Sequence, residues 1–374
     1  MTRPFLKYYD DYVAWMHKSL VLWADIGRDV HGGWYEHLDK SGAADIKAIR
    51  RHRIQARQVY SYATAQMNGW YEGRDIAVKT FEFMCLQGWQ GEHFIHRLDQ
   101  DYKITDERCD LYDHAFYLLG TAALYKLTGK PLYRLWIDKI ITAIDRLRSE
   151  NGGWKEDNLG TTPRRQNPHM HLFEAHLYLY DATKDTRFLR RAQESLSLFK
   201  AHFYNQDVQG IHEFFNVDWT LSSGQKGRTL EPGHAAEWIW LLGLYDRLTG
   251  DDHSHIREMI FDHLSRQAGP YLIDESCIDE SKPSAHKAVR TTRRLWVQTE
   301  WIKAHITLIR DGYSPAAAML PDLFEHFMED YLTPSGLWQD QCDAKGHDIA
   351  ATIPVSSMYH IIAMVNELKP LAEQ

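Results

Sequence analysis

The segment NPHMHLFEAH at residues 167–176 contains three histidines and one glutamate. Imidazole and carboxylate groups this close together can bind a metal ion, transfer protons or bind hydroxyl groups. His171 and Glu174 are three residues apart, which places them on one face of a helix, whereas His169 and His176 fall on other faces. The chain also has no HExxH motif. We therefore interpret His171 and Glu174 as a proton-transfer or hydroxyl-binding pair, expect no metal, and assign His169 a structural role at the helix start.

Two further pairs have helical spacing: His234 with Glu237, and Trp296 with Glu300. A carboxylate beside an imidazole fixes its tautomer and raises its basicity. This suits proton transfer, and it also suits binding of hydroxyl groups. An isolated histidine of this kind is most often a core residue with satisfied hydrogen bonds, but the repetition favours a functional interpretation.

Most of the chain has apolar residues at helical spacing, as in AFYLLGTAALYKLTG and AAEWIWLLGLYDRLTG. A loop recurs between these segments, with a glycine, then an aromatic or apolar residue, then acidic residues. The loop glycines lie 57 to 67 residues apart, at Gly33, Gly91, Gly153, Gly210, Gly269 and Gly336. Each interval has room for two helices. Six helix pairs predict an all-α fold, an (α/α)6 barrel with short hairpin-like loops at the active-site mouth.

We expect residues 1–374 to form this barrel as a single catalytic domain, with no half that folds separately. An open solenoid of helix pairs is the alternative. A solenoid would have exposed capping helices at both ends, and the sequence shows no sign of them.

One conspicuous polar or aromatic residue follows each loop glycine at a similar distance. These residues are Arg57, His114, His171, His234, Trp296 and His360, between 18 and 27 positions after their glycines. In a closed ring each would lie near the start of an inner helix and face a shared mouth. We therefore expect the six side chains to converge on one pocket.

The composition excludes several classes of protein. A net charge of −8 argues against binding of nucleic acid, and no apolar run is long enough to span a membrane. The start has no apolar signal region, and the four cysteines lack CxxC spacing, which fits a reducing compartment. We expect a cytoplasmic protein.

The 13 Trp, 20 Tyr and 14 Phe suit either stacking on sugar rings or an aromatic core between helices.

Six segments, read together and in order, resemble the N-acylglucosamine 2-epimerase superfamily, and within it the D-mannose isomerase branch. They are RIQARQVYSYA, DLYDHAFYLLG, QNPHMHLFEAH, LEPGHAAEWIWLLG, LWVQTEW and PVSSMYHII. The segments run through nearly the whole chain with compatible spacing. The six segments together make a specific match to the family, although any one of them alone would be weak evidence.

The resemblance implies a barrel enzyme that moves a proton at C2 of an open-chain aldose without metal or nucleotide cofactor. By the resemblance, His234 and His360 are the two acid–base histidines and Arg57 binds the O1/O2 end of the sugar. The residues expected to bind or orient the sugar are His114, Asn167, His171, Glu174, Glu237, Trp296 and Glu300. Among them Glu237 is expected to support His234, and Trp296 to form an apolar wall. The partner is then a monosaccharide, and a homodimer is compatible with the fold.

The chemistry fits these residue types. Removing a proton beside a carbonyl leaves an enediolate, so the site needs a base near neutral pH and a cation near the oxyanion. Histidine supplies the base and Arg57 the cation. Return of the proton to C1 gives a ketose, so that mannose becomes fructose or lyxose becomes xylulose. Return to the opposite face of C2 gives the epimer. We expect the isomerase, with a sugar 2-epimerase as the alternative.

Two other classes remain open. A glycoside hydrolase on the same barrel would use two of the carboxylates of Glu174, Glu237 and Glu300. A sugar-binding regulatory protein would have lost a catalytic histidine, and neither His234 nor His360 is missing. Arg164 and Arg165 form a basic pair that would suit an anionic group at C6 of the sugar, although we favour a solvated turn.

Overall fold

Twelve helices of at least 12 residues dominate the computed structural model, which describes residues 5–373. They are α1 Leu6–Ile26, α2 Arg53–Asn68, α3 Arg74–Gly88, α4 Leu111–Thr128, α5 Pro131–Asp145, α6 Gln166–Thr183, α7 Thr186–Leu198, α8 Pro232–Thr249, α9 Ser254–Gln267, α10 Leu295–Arg310, α11 Leu320–Tyr331 and α12 Met358–Ala372. Short helical turns at Phe199–Phe203, Gln225–Arg228, Ser314–Ala317 and Val355–Ser357 complete the helical structure of this range.

The even-numbered helices form a closed inner ring. Each of α2, α4, α6, α8 and α10 packs against the next inner helix, and α12 packs back against α2. The outer helices α3, α5, α7, α9 and α11 each pack on the inner helix that precedes them, and α1 packs on α12. Six helix pairs in a closed ring confirm the predicted (α/α)6 barrel and rule out the open solenoid.

Local sequence signals explain where these helices begin and end. Asp110 caps α4 by accepting a hydrogen bond from the backbone N–H of Asp113, and Pro232 stands in the first turn of α8. Gly129 and Gly250 follow α4 and α8 in the left-handed conformation that glycine adopts without strain. The inner helices are buried nearly all round, so a polar side chain on them that lacks a partner carries an energetic cost.

Short strands join the loops into a second ring at one end of the barrel. The strands are β1 His37–Leu38, β2 Arg50–Arg51, β3 Arg97–Leu98, β4 Ile104–Asp106, β5 Arg164–Arg165, β6 Tyr204–Asn205, β7 Gly210–Ile211, β8 Phe214–Phe215, β9 Thr229–Leu230, β10 Glu275–Asp279, β11 Lys282–Arg290, β12 Arg293–Arg294, β13 Gln341–Cys342 and β14 Ile353–Pro354. The hairpin-like loops that the sequence predicted are therefore present.

In each repeat the segment just before an inner helix pairs antiparallel with the loop of the next repeat. The pairs are β2 with β3, β5 with β8, β9 with β10, β12 with β13 and β14 with β1. At the sixth junction between repeats, a single antiparallel β-bridge joins Asp110 and Asp157. The last repeat thus pairs with the first, and the loops form a rim around the mouth of the barrel.

Among the described residues, a recurring hydrogen bond ties four of the six loops to an inner helix. The donor is the backbone N–H of a residue that directly follows the loop glycine or lies close to it. The acceptor is a side chain in the first two turns of the helix. The four donor–acceptor pairs are Trp34 with Gln55, Phe94 with His114, Trp154 with His169 and Leu272 with Gln298. We call these acceptors the anchor residues.

Within residues 5–373, no helix is both long and apolar enough to cross a membrane.

Candidate active site

A cavity of about 330 Å³ opens at the loop end of the inner ring. This volume is at the lower end of the range of about 300–1,000 Å³ for ligand pockets. Every inner helix contributes to its wall. The helical residues that line it are Arg57, Tyr112, Asn167, His171, His234, Glu237, Trp296 and His360. The rim adds Arg51, Glu231, Arg294, Asp340, Pro354, Ser356 and Ser357.

Three histidines of this wall share one arrangement, in which Nδ1 contacts a buried carboxylate. The pairs are His171 with Glu174 at 3.0 Å, His234 with Glu213 at 3.0 Å, and His360 with Glu300 at 2.9 Å. A carboxylate at Nδ1 holds a proton on that nitrogen and leaves Nε2 as the exchangeable position. Among the described residues no side chain or backbone group bonds these Nε2 atoms. Each imidazole can therefore exchange a proton with a bound molecule.

His234 and His360 have opposite protonation preferences. Burial disfavours the charged form of His234, but the carboxylates of Glu213 and Glu231 outweigh it and raise its pKa to about 9. Burial, followed by the positive charge of Arg57, holds the pKa of His360 well below its usual range. At neutral pH the first imidazole carries a proton to give and the second has a free nitrogen to accept one.

Trp296 lies between these two imidazoles. Its ring centre is 5.2 Å from that of His234 and 5.7 Å from that of His360, and both interplanar angles are 38°. The indole is partly buried and lines the cavity. It forms an apolar surface of the kind on which a sugar ring stacks, with an imidazole on each side.

Arg57 contributes a positive charge to the cavity. Its guanidinium lies 4.1 Å from the centre of the Phe116 ring, and it donates hydrogen bonds to Tyr112 Oη at 2.7 Å and to the Ser356 carbonyl at 3.3 Å. Within the described part of the chain no carboxylate lies within 4.0 Å of this guanidinium. An unneutralised cation of this kind can stabilise an oxyanion that forms during a reaction.

Glu237 has a different position from the one expected. We expected it to support His234, but Glu213 forms that bond, and Glu213 also accepts a hydrogen bond from Gln166 at 3.0 Å. The Glu237 carboxyl is buried in the cavity wall, and neither oxygen has a hydrogen-bond partner among residues 5–373. Burial, together with the charge of Glu300, raises its pKa well above the ordinary value. The shift favours the protonated form of Glu237, and a protonated carboxyl can donate a hydrogen bond to a hydroxyl group.

His114, which we expected to bind substrate, does not line the cavity. It is an anchor residue: Nε2 accepts the Phe94 N–H at 3.2 Å, and Nδ1 donates to the Asp110 carbonyl at 2.7 Å. The next inward-facing position on α4 is Phe116, two residues later, which packs under Arg57. The loops differ in length, so a similar distance from the loop glycine falls on different helix positions in different repeats. In this repeat it falls on the anchor residue and not on the residue that faces the cavity.

His169 has the structural role that the sequence predicted. Its Nε2 accepts the Trp154 N–H at 3.2 Å, and its Nδ1 donates to the Arg165 carbonyl at 3.0 Å. Neither ring nitrogen is left for a ligand. The segment at residues 167–176 therefore provides Asn167 and His171 to the cavity wall, while Glu174 lies behind His171.

Arg164 and Arg165 have partners inside the protein instead of forming a solvated turn. Arg164 is buried, donates to the carbonyls of Gly152 and Trp154 at 2.8 Å, and stacks on Trp219. Arg165 bonds Glu156 at 2.6 Å. Neither residue lines the cavity.

The sequence interpretation missed four groups that shape the site. Glu213, Tyr112, Glu231 and Asp340 all lie in the cavity wall or directly behind it. A signal existed for two of them, because Glu213 and Asp340 are the acidic residues of the recurring loop. Corresponding loop residues bond the backbone N–H of an arginine just before an inner helix, as Glu36 bonds Arg51.

In the described part of the chain, three groups of side chains have types and distances that could hold a metal ion. They are His96 with Asp110 and Asp113, His171 with Glu174 and Glu237, and Glu213 with Glu231 and His234. In the last two groups the close atoms are those of the imidazole–carboxylate pairs, and those hydrogen bonds already occupy Nδ1. The expectation that no metal is needed stays a prediction.

Known proteins resemble this chain over nearly its full length. The model of the N-acylglucosamine 2-epimerase (GlcNAc 2-epimerase) family matches residues 33–364. A protein named mannose-6-phosphate isomerase from Rhizobium meliloti (strain 1021) is 30% identical over 372 residues, which covers 95% of each chain. A cellobiose 2-epimerase from Ruminococcus albus is 22% identical over 372 residues, covering 91% of this chain and 92% of the relative. A crystal structure of a D-mannose isomerase superposes with a TM-score of 0.84 at 18% identity and covers 97% of each chain.

Proposed function

The chain belongs to the N-acylglucosamine 2-epimerase family of sugar isomerases and epimerases, and we propose that it is an aldose–ketose isomerase that converts D-mannose to D-fructose. The observation that carries this proposal is the pair His234 and His360. The two imidazoles flank Trp296 with opposite protonation preferences, and Arg57 supplies a cation to the same cavity. This set provides a base, an acid, an apolar surface and an oxyanion partner.

The reaction follows from these groups. Nε2 of His360 removes the proton from C2 of the open-chain sugar, the C1–C2 double bond forms, and O1 takes up the negative charge beside Arg57. His234 gives its proton to O1 and recovers one from O2. His360 then returns the first proton to C1, and O2 becomes the ketone oxygen. Atoms and charges balance, and both histidines end as they began.

The charges of the cavity support a sugar without phosphate. Arg51 is paired with Glu36, and Arg294 is paired with Asp274 at 3.2 Å and Glu231 at 3.3 Å. Arg57 is the one lining cation of the described chain without a carboxylate within 4.0 Å, and our mechanism already uses it at O1. A phosphate group would remain without a free cation. The phosphate in the name of the Rhizobium meliloti relative is therefore not part of our proposal.

The 2-epimerase is the second candidate, because one relative is named cellobiose 2-epimerase and inversion at C2 of a sugar needs the same proton removal. The geometry gives less support to a glycoside hydrolase. Glu174 and Glu300 direct oxygens to the histidines and do not line the cavity. A hydrolase needs two carboxyl groups facing the glycosidic bond. Of the carboxyl groups that line the cavity, Glu231 is paired with Arg294 and Asp340 accepts a hydrogen bond from Ser357, which leaves Glu237 alone without a partner among the described residues.

Incubation with mannose in deuterated water, followed by NMR of the products, tests the proposal. We expect fructose as the first product and a much lower rate with mannose 6-phosphate. Glucose as the early product would identify a 2-epimerase. Cleavage of oligosaccharides without deuterium exchange would identify a hydrolase. A faster reaction with mannose 6-phosphate would overturn the assignment of the unphosphorylated sugar.

A further inference from the structure

A lysine is fully buried beneath the candidate site, on α10. Lys303 lies one helical turn after Glu300, and neither side chain has exposed surface. The Lys303 ammonium is 2.6 Å from Glu300 Oε2 and 3.4 Å from the centre of the Trp240 ring. Lysine is almost never fully buried without a partner, because removing an ammonium from water costs several kcal/mol. A role for Lys303 must therefore act through the groups it touches.

Glu300 divides its two oxygens between two partners. Oε2 contacts the Lys303 ammonium, and Oε1 contacts Nδ1 of His360 at 2.9 Å. His360 lines the cavity, whereas Lys303 does not. The three side chains thus form a chain of contacts that runs from the barrel interior to the proton-transfer group.

We propose that Lys303 is a positioning residue for proton transfer: its ammonium keeps Glu300 a carboxylate, and the carboxylate holds a proton on Nδ1 of His360, which leaves Nε2 free to act as the base. The proposal rests on the proposed function, since it takes His360 as the base. It adds a residue that does not touch the substrate but sets the tautomer of one that does.

The surroundings of Glu300 explain why an ammonium is needed. The charged and titratable groups that face it are Lys303 on its own helix, His234 and Glu237 from α8, His171 from α6 and His360 from α12. Burial raises the pKa of Glu300, and the Lys303 ammonium is the strongest opposing influence. Without it, the buried carboxylate would gain a proton more readily.

Protonation of Glu300 would reverse the tautomer of the His360 imidazole. A neutral carboxylic acid donates its proton to Nδ1, so the imidazole carries its own proton on Nε2 and has no free nitrogen facing the cavity. In serine proteases, a change of the triad aspartate to asparagine leaves the wrong histidine tautomer and lowers kcat by about 10⁴. The same physical argument applies to the pair of Glu300 and His360.

Lys303→Met tests the proposal, because it removes the charge and keeps most of the volume. We expect kcat to fall by roughly 10- to 100-fold, the loss typical when the partner that orients a metal-binding histidine is removed, with KM little changed. The acidic limb of the kcat/KM profile should move to higher pH, because Glu300 must lose a proton before His360 can act as a base. An acidic limb at the wild-type position would overturn the proposal.

Arg257→Met is the matched control. Arg257 is a buried cation of α9 that pairs with Asp246 and Asp311, away from the cavity. Its loss should lower Tm but leave the acidic limb in place. A Glu300→Gln background gives a second check, because Lys303→Met should add no further loss of kcat there. Independent, multiplicative losses would show that Lys303 does not act through Glu300.

A ¹⁵N-histidine NMR spectrum separates this proposal from the proposed function. His360 is assigned by the signal that disappears in His360→Ala, and its tautomer is then read in wild type and in Lys303→Gln, which keeps a hydrogen-bond donor. We expect the Nδ1–H form in wild type and a shift to Nε2–H in the variant at acidic pH. The same tautomer in both proteins would contradict the proposal. The spectrum needs no turnover, so it is decisive even where mannose proves not to be a substrate.

Discussion

Nδ1 of His234 lies 3.0 Å from Oε2 of Glu213, a loop residue that precedes it by 21 positions. The bond joins a loop of the rim to the start of α8, and both side chains are buried. Gln166 donates to the same carboxylate oxygen at 3.0 Å and holds it in place. The pair accounts for the raised pKa of His234, and it assigns to Glu213 the supporting role that the sequence suggested for Glu237.

Glu213→Gln should lower the pKa of His234. Loss of a close opposite charge shifts a pKa by about one to three units, so the imidazolium would be lost at a lower pH than in wild type. Where His234 acts as the acid, the alkaline limb of the kcat/KM profile must move to lower pH. Steady-state rates across pH measure this shift. Glu237→Gln is the matched comparison and should keep the alkaline limb in place, whatever its effect on KM.

His114 should be replaceable by glutamine with little effect on turnover. Gln55 and Gln298 are anchor residues in two other repeats, so an amide oxygen at position 114 can accept the Phe94 N–H. His114→Ala leaves that buried donor unsatisfied, which costs about 1–3 kcal/mol. Thermal unfolding and kcat/KM distinguish the two variants. A large rise in KM in a stable His114→Gln protein would restore its role in substrate binding.

Arg57→Lys should be a poor enzyme although it keeps the positive charge. The guanidinium stacks on Phe116 and donates to both Tyr112 and Ser356, and a lysine ammonium cannot reproduce this planar arrangement. Loss of one oxyanion partner costs about 10²–10³ in kcat. Single-turnover rates with mannose measure the loss. Near wild-type turnover would show that only charge is required at this position.

Activity should survive chelation. The close atoms of the two carboxylate–imidazole groups in the site already bond one another, and the proposed steps use only imidazoles and a guanidinium. Dialysis against EDTA followed by the mannose assay measures this. Loss of activity that Mn²⁺ or Zn²⁺ restores would contradict it and would point to His171 or His234 with their carboxylates as a metal site.

The sequence predicted the features that repeat along the chain. Loop glycines about sixty residues apart indicated six helix pairs, and the ring of α2 to α12 confirms this number. It also predicted the pair of His171 and Glu174, because both lie on one helix and three-residue spacing brings them together.

Contacts between distant elements could not be read from spacing. His234 bonds Glu213 from a loop 21 residues away, and His360 bonds Glu300 from another helix 60 residues away. Local spacing instead paired Glu237 with His234 and Glu300 with Trp296. These interactions depend on how neighbouring repeats pack. Helical spacing cannot predict them, because it shows only which residues of one helix share a face.

The central claim is that His360 exchanges the C2 proton while His234 handles protons on oxygen, and deuterium incorporation at C2 of mannose tests it most directly. Wild type, His360→Ala and His234→Ala are incubated with mannose in deuterated water, and exchange is followed by NMR. We expect His360→Ala to lose exchange and turnover together, by about 10²–10⁴-fold. His234→Ala should lose turnover but still bind mannose through Arg57 and His171. Near wild-type exchange in His360→Ala would contradict the account.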